Sequence, residues 1–550
     1  MKQALHQFRI SLVVALFFVF FLVALVHLFI TQILHHDFYA DLGRRQYHIQ
    51  ITQQPARGNF FDRNHAPLTL NQESYSLFIT PNQMEQPEQT KHFILKYFPE
   101  QSERFITGQN TPFAFIKRHL TPEEHTLVLN TKLVDLHLLK EHKRVYLAPS
   151  LAHTIGITDV DNKGLTGLEM IYENKLAGIP TTYILQKDAR IESFYFEKTA
   201  AQEGCEGTDI SLTIDQNIQE IVYHELKKWV NLWKAQEGMI LVTNPQDGAI
   251  IASAMYPDSN PNKPSSIEQQ HLKNRCFTES YELGSVIKVF SALAALEDGV
   301  VTPEETIDCR NTKETTINGI RVTTWKAGGL LTFTDVIRQS NNIGTSLIAL
   351  RLGKKLYHYL TKYGFAQKTD LQFPGEAVGG ITPLKQWSKA TPLSLSFGYE
   401  IRASTLQLAT ALGMIANNGI LVAPRLLSTS PIVKKEVASA EAVAQLRTII
   451  TINKETSPYH KAQVPGYVVQ GKTGTAHLLS NGQYDPARNI YTFAGIIEQG
   501  SYQRVITIII KEPYKETQTN LYAASVAAPL FNKIAQQIVV IEKIPPHQQK

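Results

Sequence analysis

An apolar run near the N-terminus constrains this chain more than any other feature. Residues 10–30 read ISLVVALFFVFFLVALVHLFI, and Ser11 and His27 are the only polar residues among them. A helix of this length crosses the roughly 30 Å hydrocarbon core of a bilayer. Because the lipid core offers no hydrogen-bond partners, the segment must satisfy its own backbone groups. The sequence therefore predicts a transmembrane helix at residues 10–30.

The charges around this run predict its orientation. Lys2 and Arg9 precede it without an acidic residue, whereas Asp37 and Asp41 offset the two arginines that follow. By the positive-inside rule, residues 1–9 form a cytoplasmic tail and the rest of the chain lies outside the inner membrane, in the periplasm. A cleaved signal peptide is the alternative, but its apolar stretch is about 7–15 residues long and ends at a small-residue cleavage site. An uncleaved, single-pass signal anchor is favoured.

The composition excludes several classes of partner. The 54 basic and 49 acidic residues are scattered, with a net charge of +5 and no basic block, so we expect no nucleic-acid binding. Cys205, Cys276 and Cys309 lack the spacing of a metal site or a disulfide framework, although one bridge stays open outside the cytosol. We expect neither a metal nor a cofactor.

The exported part divides into two predicted domains. Residues 31–207 mix short apolar runs with Gly and Pro, which favours a β-rich pedestal domain. From residue 208 to about 545 the pattern sharpens, with β-hairpins near both ends of the segment and apolar helical runs between them. We therefore expect an α+β fold, an antiparallel sheet flanked by helices.

The string Ser285-Val-Ile-Lys288 begins a helix that is apolar nearly all round. Ser285 is predicted in the first turn, where the helix dipole favours negative charge, and Lys288 lies three residues on, on the same face. An apolar setting lowers the pKa of a lysine, so a neutral amine could take the serine proton. An SxxK string arises by chance about once or twice in a chain of this size, so the residues around it decide whether it marks a catalytic site.

Two further strings supply the other parts of such a site. Ser340-Asn-Asn342 precedes an apolar helical run, and alone this string predicts a helix N-cap. Beside a buried lysine, however, Ser340 offers a hydroxyl for proton transfer, and Asn342 offers an amide that can bind the substrate backbone. Lys472-Thr-Gly-Thr475 reads as a strand in which Gly474 leaves room for a ligand. Its lysine and the hydroxyls of Thr473 and Thr475 suit a carboxylate, although alone the string would be an ordinary exposed strand.

These three strings resemble the motifs of the penicillin-recognising serine transpeptidases, which include penicillin-binding proteins and serine β-lactamases. Residues 57–64 (RGNFFDRN) and 164–169 (GLTGLE) resemble pedestal signatures of class B penicillin-binding proteins, and residues 396–399 (SFGY) resemble a landmark of their catalytic domain. Glu400 departs from the family pattern, which commonly has glycine there.

The resemblance implies a D,D-transpeptidase that cross-links lipid-linked peptidoglycan stem peptides, above a non-catalytic, dimerisation-type pedestal. Ser285 would attack the penultimate D-Ala carbonyl, Lys288 would take its proton and Ser340 would relay a proton to the departing D-Ala. Lys472, Thr473 and Thr475 would bind the terminal carboxylate, and the backbone N–H groups of Ser285 and Thr475 would hold the oxyanion. β-Lactams would trap Ser285.

The subtype and the partners are expected by analogy. The short C-terminal closure and the compact pedestal resemble the septal, division-specific type, whose partners would be a membrane glycosyltransferase and other divisome proteins. Three alternatives stay open: an elongation-specific transpeptidase, a membrane-anchored β-lactamase or D,D-carboxypeptidase, and a catalytically dormant divisome scaffold.

Overall fold

The computed structural model describes residues 2–81, 84–101, 113–187, 194–263, 266–453, 457–514 and 521–547. The helices are α1 (Lys2–Phe29), α2 (His36–Tyr47), α3 (Pro87–Tyr97), α4 (Pro122–Asn130), α5 (Ala152–Ile155), α6 (Gly167–Ile171), α7 (Glu173–Leu176), α8 (Gln216–Leu232), α9 (Arg275–Thr278), α10 (Lys288–Glu297), α11 (Phe333–Arg338), α12 (Asn342–Leu352), α13 (Lys355–Lys362), α14 (Thr391–Ser396), α15 (Thr405–Ala416), α16 (Ala440–Ile450), α17 (Ala523–Val526) and α18 (Ala528–Ile541).

The strands are β1 (His48–Gln53), β2 (Phe60–Phe61), β3 (Thr69–Ile79), β4 (Ala114–Lys117), β5 (His137–Tyr146), β6 (Thr181–Lys187), β7 (Phe194–Gln202), β8 (Ile210–Ser211), β9 (Glu237–Thr243), β10 (Ile250–Tyr256), β11 (Thr306–Ile317), β12 (Ile320–Thr332), β13 (Gly380–Ile381), β14 (Ile401–Arg402), β15 (Ile420–Val422), β16 (Lys434–Glu436), β17 (Val468–Ser480), β18 (Gln483–Gln499) and β19 (Tyr502–Lys511).

The chain forms two compact units, residues 1–58 with 177–208 and residues 59–176 with 209–550. The first unit contains α1, α2 and the antiparallel sheet β1-β6-β7. The most apolar 18-residue window of its helical segment Lys2–Leu34 has a mean hydropathy of 3.1, and none of that window is buried. This segment has the length and composition of a membrane span. The predicted domain limits at 31–207 and 208–545 remain a prediction.

An antiparallel sheet of five strands, in the order β10-β9-β19-β18-β17, is the centre of the second unit. All seven residues of β9 are buried, because both faces of the sheet are covered. Met239 and Leu241 join the core on one face, and Ile240 and Val242 join the core on the other. The pairing of β9 with β19 unites the two hairpins that the sequence predicts.

Helices cover both faces of this sheet. Apolar residues of α10, α12 and α15 belong to the core on one face, and those of α8 and α18 belong to the core on the other. Local caps fix where the helices begin: the Asp215 carboxylate accepts from the backbone at the start of α8, and Ser404 and Gln407 form a capping box at α15. The predicted fold class is confirmed: an α+β fold with an antiparallel sheet flanked by helices.

Residues 59–176 add a smaller antiparallel sheet, β4-β3-β5, with its own apolar core. A buried ion pair braces this part, with Arg144 Nε 2.9 Å from Glu169 Oε1. Asp62 Oδ2 accepts from the backbone N–H of Gln216 at 3.2 Å, which ties the segment to the start of α8. The acidic residues of the two pedestal signatures therefore serve structural pairing. The three cysteines are free thiols, two of them buried.

Candidate active site

The turn that carries Ser285 is tighter than the α-helix that follows it. Gly284–Ile287 forms a 3₁₀ turn, which continues into α10. From Lys288 to Leu296 every residue of α10 is buried, as the apolar pattern predicts. The turn is held by the N–H of Gly284, which donates to the carbonyl of Gly398 at 3.3 Å. Ser285 thus stands half-buried at the start of a rigid core helix.

The amine of Lys288 brings the first two strings together. Its Nζ lies 3.0 Å from Ser285 Oγ, 3.0 Å from Ser340 Oγ, 2.8 Å from the carbonyl oxygen of Ser340 and 2.6 Å from Asn342 Oδ1. The side chain is completely buried. Four residues from two separate sequence strings therefore form one hydrogen-bonded cluster.

Burial, and then the charge of Lys472, lower the pKa of Lys288 well below its ordinary value. A neutral amine has two N–H donors and one lone pair. The Ser340 carbonyl and the Asn342 amide oxygen can only accept, so they engage both donors. The lone pair is then left for the hydroxyls, and this arrangement can take a proton from Ser285 and exchange one with Ser340.

The backbone at Ser340 has the left-handed φ of 58°, which is uncommon for a residue with a side chain. It allows the carbonyl and the hydroxyl of one residue to reach the same amine. The N-cap of α12 is Asn341, whose side chain accepts from the Gly344 N–H at 2.9 Å, so the neighbouring residues are free for the site. Asn342 Nδ2 donates to the carbonyl of Thr323 in β12 at 2.7 Å, which holds the Asn342 side chain in place. No motif in the sequence predicts this contact.

The third string lies in β17, at one edge of the five-stranded sheet. Lys472 is 1% exposed, which excludes the interpretation of an ordinary exposed strand. Burial lowers its pKa to about 7. The hydroxyl oxygen of Thr475 accepts from the N–H of Ala523 at 3.4 Å, which leaves its hydrogen for another acceptor.

The structure adds a second reason for a glycine at 474. The approach of a ligand there stays a prediction, and a side chain would also meet the protein itself: a Cβ on Gly474 would lie 2.2 Å from the carbonyl oxygen of Leu283. Likewise, a Cβ on Gly284 would lie 2.5 Å from the carbonyl oxygen of Thr475. β17 therefore passes in direct backbone contact with the turn of Ser285. The predicted oxyanion donors belong to these two touching segments.

The fold and this cluster define a class, that of the penicillin-recognising serine enzymes. A family model described as the penicillin-binding protein transpeptidase domain matches residues 238–536. A second, described as the penicillin-binding protein dimerisation domain, matches residues 52–212. The chain belongs to the penicillin-binding protein family of peptidoglycan transpeptidases. The predicted enzyme class, a serine-type D-Ala-D-Ala transpeptidase, is confirmed at this level.

Relatives match along most of the chain. A probable peptidoglycan D,D-transpeptidase, PbpC of Pseudomonas aeruginosa, is 30% identical over 557 residues, covering 99% of this chain and 97% of that protein. The peptidoglycan D,D-transpeptidase FtsI of Escherichia coli is 29% identical, covering 81% of this chain and 75% of its own length. The crystal structure of penicillin-binding protein 3 from Mycobacterium tuberculosis with aztreonam has a TM-score of 0.69 at 24% identity, covering 90% and 98% of the two chains. That likeness shows the fold.

Proposed function

We propose that this chain cross-links peptidoglycan stem peptides through an acyl-enzyme on Ser285 during septal wall synthesis. The observation that carries the proposal is the buried amine of Lys288, 3.0 Å from both serine hydroxyls. Serine is a weak nucleophile unless a base lies within hydrogen-bond reach. A neutral, desolvated lysine is such a base.

The proposed reaction has two halves. Ser285 Oγ attacks the penultimate D-Ala carbonyl of the donor while the lone pair of Lys288 takes the hydroxyl proton. The backbone N–H groups of Ser285 and Thr475 hold the oxyanion, the C–N bond breaks, and the terminal D-Ala leaves with a proton delivered through Ser340. A side-chain amine of a second stem then attacks the ester, which releases Ser285.

Donor binding would use β17, the strand at one edge of the five-stranded sheet. Lys472, Thr473 and Thr475 supply a cation and two hydroxyl groups for the terminal carboxylate. The amide of Asn342 makes one bond to Thr323, and its second N–H, which has no partner among the residues that the structure describes, would donate to the donor backbone. A β-lactam that presents a carboxylate beside a strained amide fits the same groups, so it would acylate Ser285 and block the site.

Location and partners form the finer part of the proposal. α1 would anchor the chain in the inner membrane with residues 1–9 in the cytoplasm and the catalytic domain in the periplasm. The septal assignment rests on analogy with the division-specific type of this family. A membrane glycosyltransferase would polymerise the glycan strands that this enzyme joins, together with other divisome proteins.

The test is covalent labelling of the full-length protein with a fluorescent penicillin, followed by mass spectrometry of the adduct. We expect the adduct on Ser285, loss of labelling in Ser285→Ala, and unchanged labelling in Ser291→Ala. The latter is a matched change in α10, the helix that follows, where the hydroxyl of Ser291 donates to the backbone carbonyl of Ser396 instead. An adduct on another residue would refute the assigned nucleophile.

The lifetime of the adduct separates the rival activities. Persistence for hours supports a transpeptidase, whereas turnover within seconds indicates a β-lactamase or carboxypeptidase. A folded protein that does not label would be a dormant scaffold. Depletion in growing cells then separates the two transpeptidase types, because loss of septal synthesis gives filaments and loss of elongation gives rounded cells.

A further inference from the structure

The amine of Lys472 lies in an unusual environment. Within the part of the chain that the structure describes, its one hydrogen bond is to the carbonyl oxygen of Thr473 at 3.4 Å. Across the described residues no carboxylate comes within ion-pair distance of it, although the side chain is buried. A buried ammonium without compensation is costly. One group does compensate: Nζ lies over the ring of Tyr459, 5.2 Å from its centroid.

The ring of Tyr459 is a fixed platform. It is 2% exposed and belongs to the same apolar core as α8 and α18. A 3₁₀ turn at His460–Ala462 follows it directly, and the Ala462 N–H donates to the Tyr459 carbonyl at 3.0 Å. Burial raises the pKa of the phenol, so the ring stays neutral. Its negative face attracts a cation at this distance.

The other charged groups near Lys472 and Tyr459 do not stabilise the ammonium form of Lys472. Lys288 of α10 and Lys472 disfavour each other's charge, since the charge of Lys472 lowers the pKa of Lys288. Arg338, at the end of α11, is a second cation that acts on Tyr459, since its charge favours a lower pKa of the phenol. Arg447 of α16 and Glu498 of β18 pair with each other.

We propose that Tyr459 is a positioning residue for the donor-binding lysine. Its ring stabilises the protonated form of the Lys472 amine and fixes that amine for the donor's carboxylate. This inference rests on the proposed function, in which Lys472 binds that carboxylate. Nothing in the three strings predicts the residue, which lies outside all of them.

The test is the pH dependence of the acylation rate constant for benzylpenicillin. The rate should fall on the alkaline side as Lys472 loses its proton. Tyr459→Leu, which removes the ring, should move this alkaline limb about one pH unit lower, and Tyr459→Phe, which keeps the ring, should move it by less than about half a unit. Phe531→Leu, a buried aromatic of the same core, controls for lost packing and should leave the limb in place.

A fluorinated phenylalanine at position 459 tests the idea without a cavity, because it keeps the shape of the ring and weakens its negative face. The limb should again move to lower pH. An unchanged limb in both the fluorinated and the leucine variants would overturn the inference. Lys472→Met separates the two hypotheses: normal acylation in that variant defeats the proposed carboxylate site and the inference together, whereas lost acylation with an unmoved limb in the Tyr459 variants defeats the inference alone.

Discussion

Replacing Asn342 with Asp tests the neutral state of Lys288 directly. Asn342 Oδ1 lies 2.6 Å from Lys288 Nζ, so Asn342→Asp places a carboxylate beside the amine with almost no change in shape. The carboxylate favours the ammonium form, which has no lone pair for the Ser285 proton. Asn342→Ala is the matched control, because it also removes the amide but adds no charge.

The magnitude follows from the distance. Two unit charges 2.6 Å apart attract by about 6 kcal/mol at an effective dielectric constant of about 20. Asn342 is partly exposed, and the new carboxylate loses hydration of its own. If only about a third of this energy remains, the pH at which the base becomes active still rises by about 1.5 units.

The assay is stopped-flow acylation by a fluorescent penicillin across the pH range. The ascending limb of the rate should lie about 1.5 pH units higher in Asn342→Asp than in Asn342→Ala, and the rate on its acid side should be about 30-fold lower. Raising the pH should restore the aspartate variant. If the two variants share one pH profile, Lys288 does not act as a neutral base.

Three further outcomes are expected. Gly474→Ala should slow acylation about 100-fold, because its Cβ displaces the turn that carries Ser285. Gly380→Ala, whose Cβ meets open space, should leave the acylation rate unchanged. Equal acylation rates in the two variants would contradict this. Arg144→Ala should lower the free energy of unfolding by about 3–5 kcal/mol in chemical denaturation, since it removes one partner of a buried ion pair. A loss under about 1 kcal/mol would refute that. The pKa of Lys472 is about 7, so the amine is about half protonated at pH 7, and a bound carboxylate would complete its protonation. Binding of a penicillin to Ser285→Ala at pH 7 should therefore take up about half a proton, which calorimetry in two buffers measures. No proton uptake would exclude a role for that amine.

Much of the fold was predictable because its signals are local. The long apolar run near the N-terminus favours a membrane span, and the turn at residues 244–248 between apolar runs predicts a hairpin. The pairing of β9 with β19 follows less directly, yet hairpins near both ends of one segment already favour a single sheet. The long β11–β12 hairpin was not predicted, since half of its side chains face solvent and carry little apolar pattern.

The candidate site was likewise predictable only in part. The spacing of Ser285 and Lys288 already places two groups on one face of a helix, and the structure adds their 3.0 Å contact. The supports around them come from elsewhere in the chain: Thr323 holds Asn342 through a backbone carbonyl, and Tyr459 supplies a ring to Lys472. A backbone carbonyl has no sequence signature, and an isolated tyrosine has no partner until the fold brings one.

The two buried lysines must differ in charge, because two unpaired ammonium groups at this depth would repel each other and lose hydration together. Their surroundings decide which one is charged. Two acceptors and a serine hydroxyl suit a neutral amine at Lys288, whereas the face of a ring suits an ammonium at Lys472. The arriving carboxylate would stabilise that ammonium further, whereas in the free enzyme the charge of Lys472 lowers the pKa of Lys288. In this arrangement, one buried amine serves as the base and the other as the cation that binds the donor.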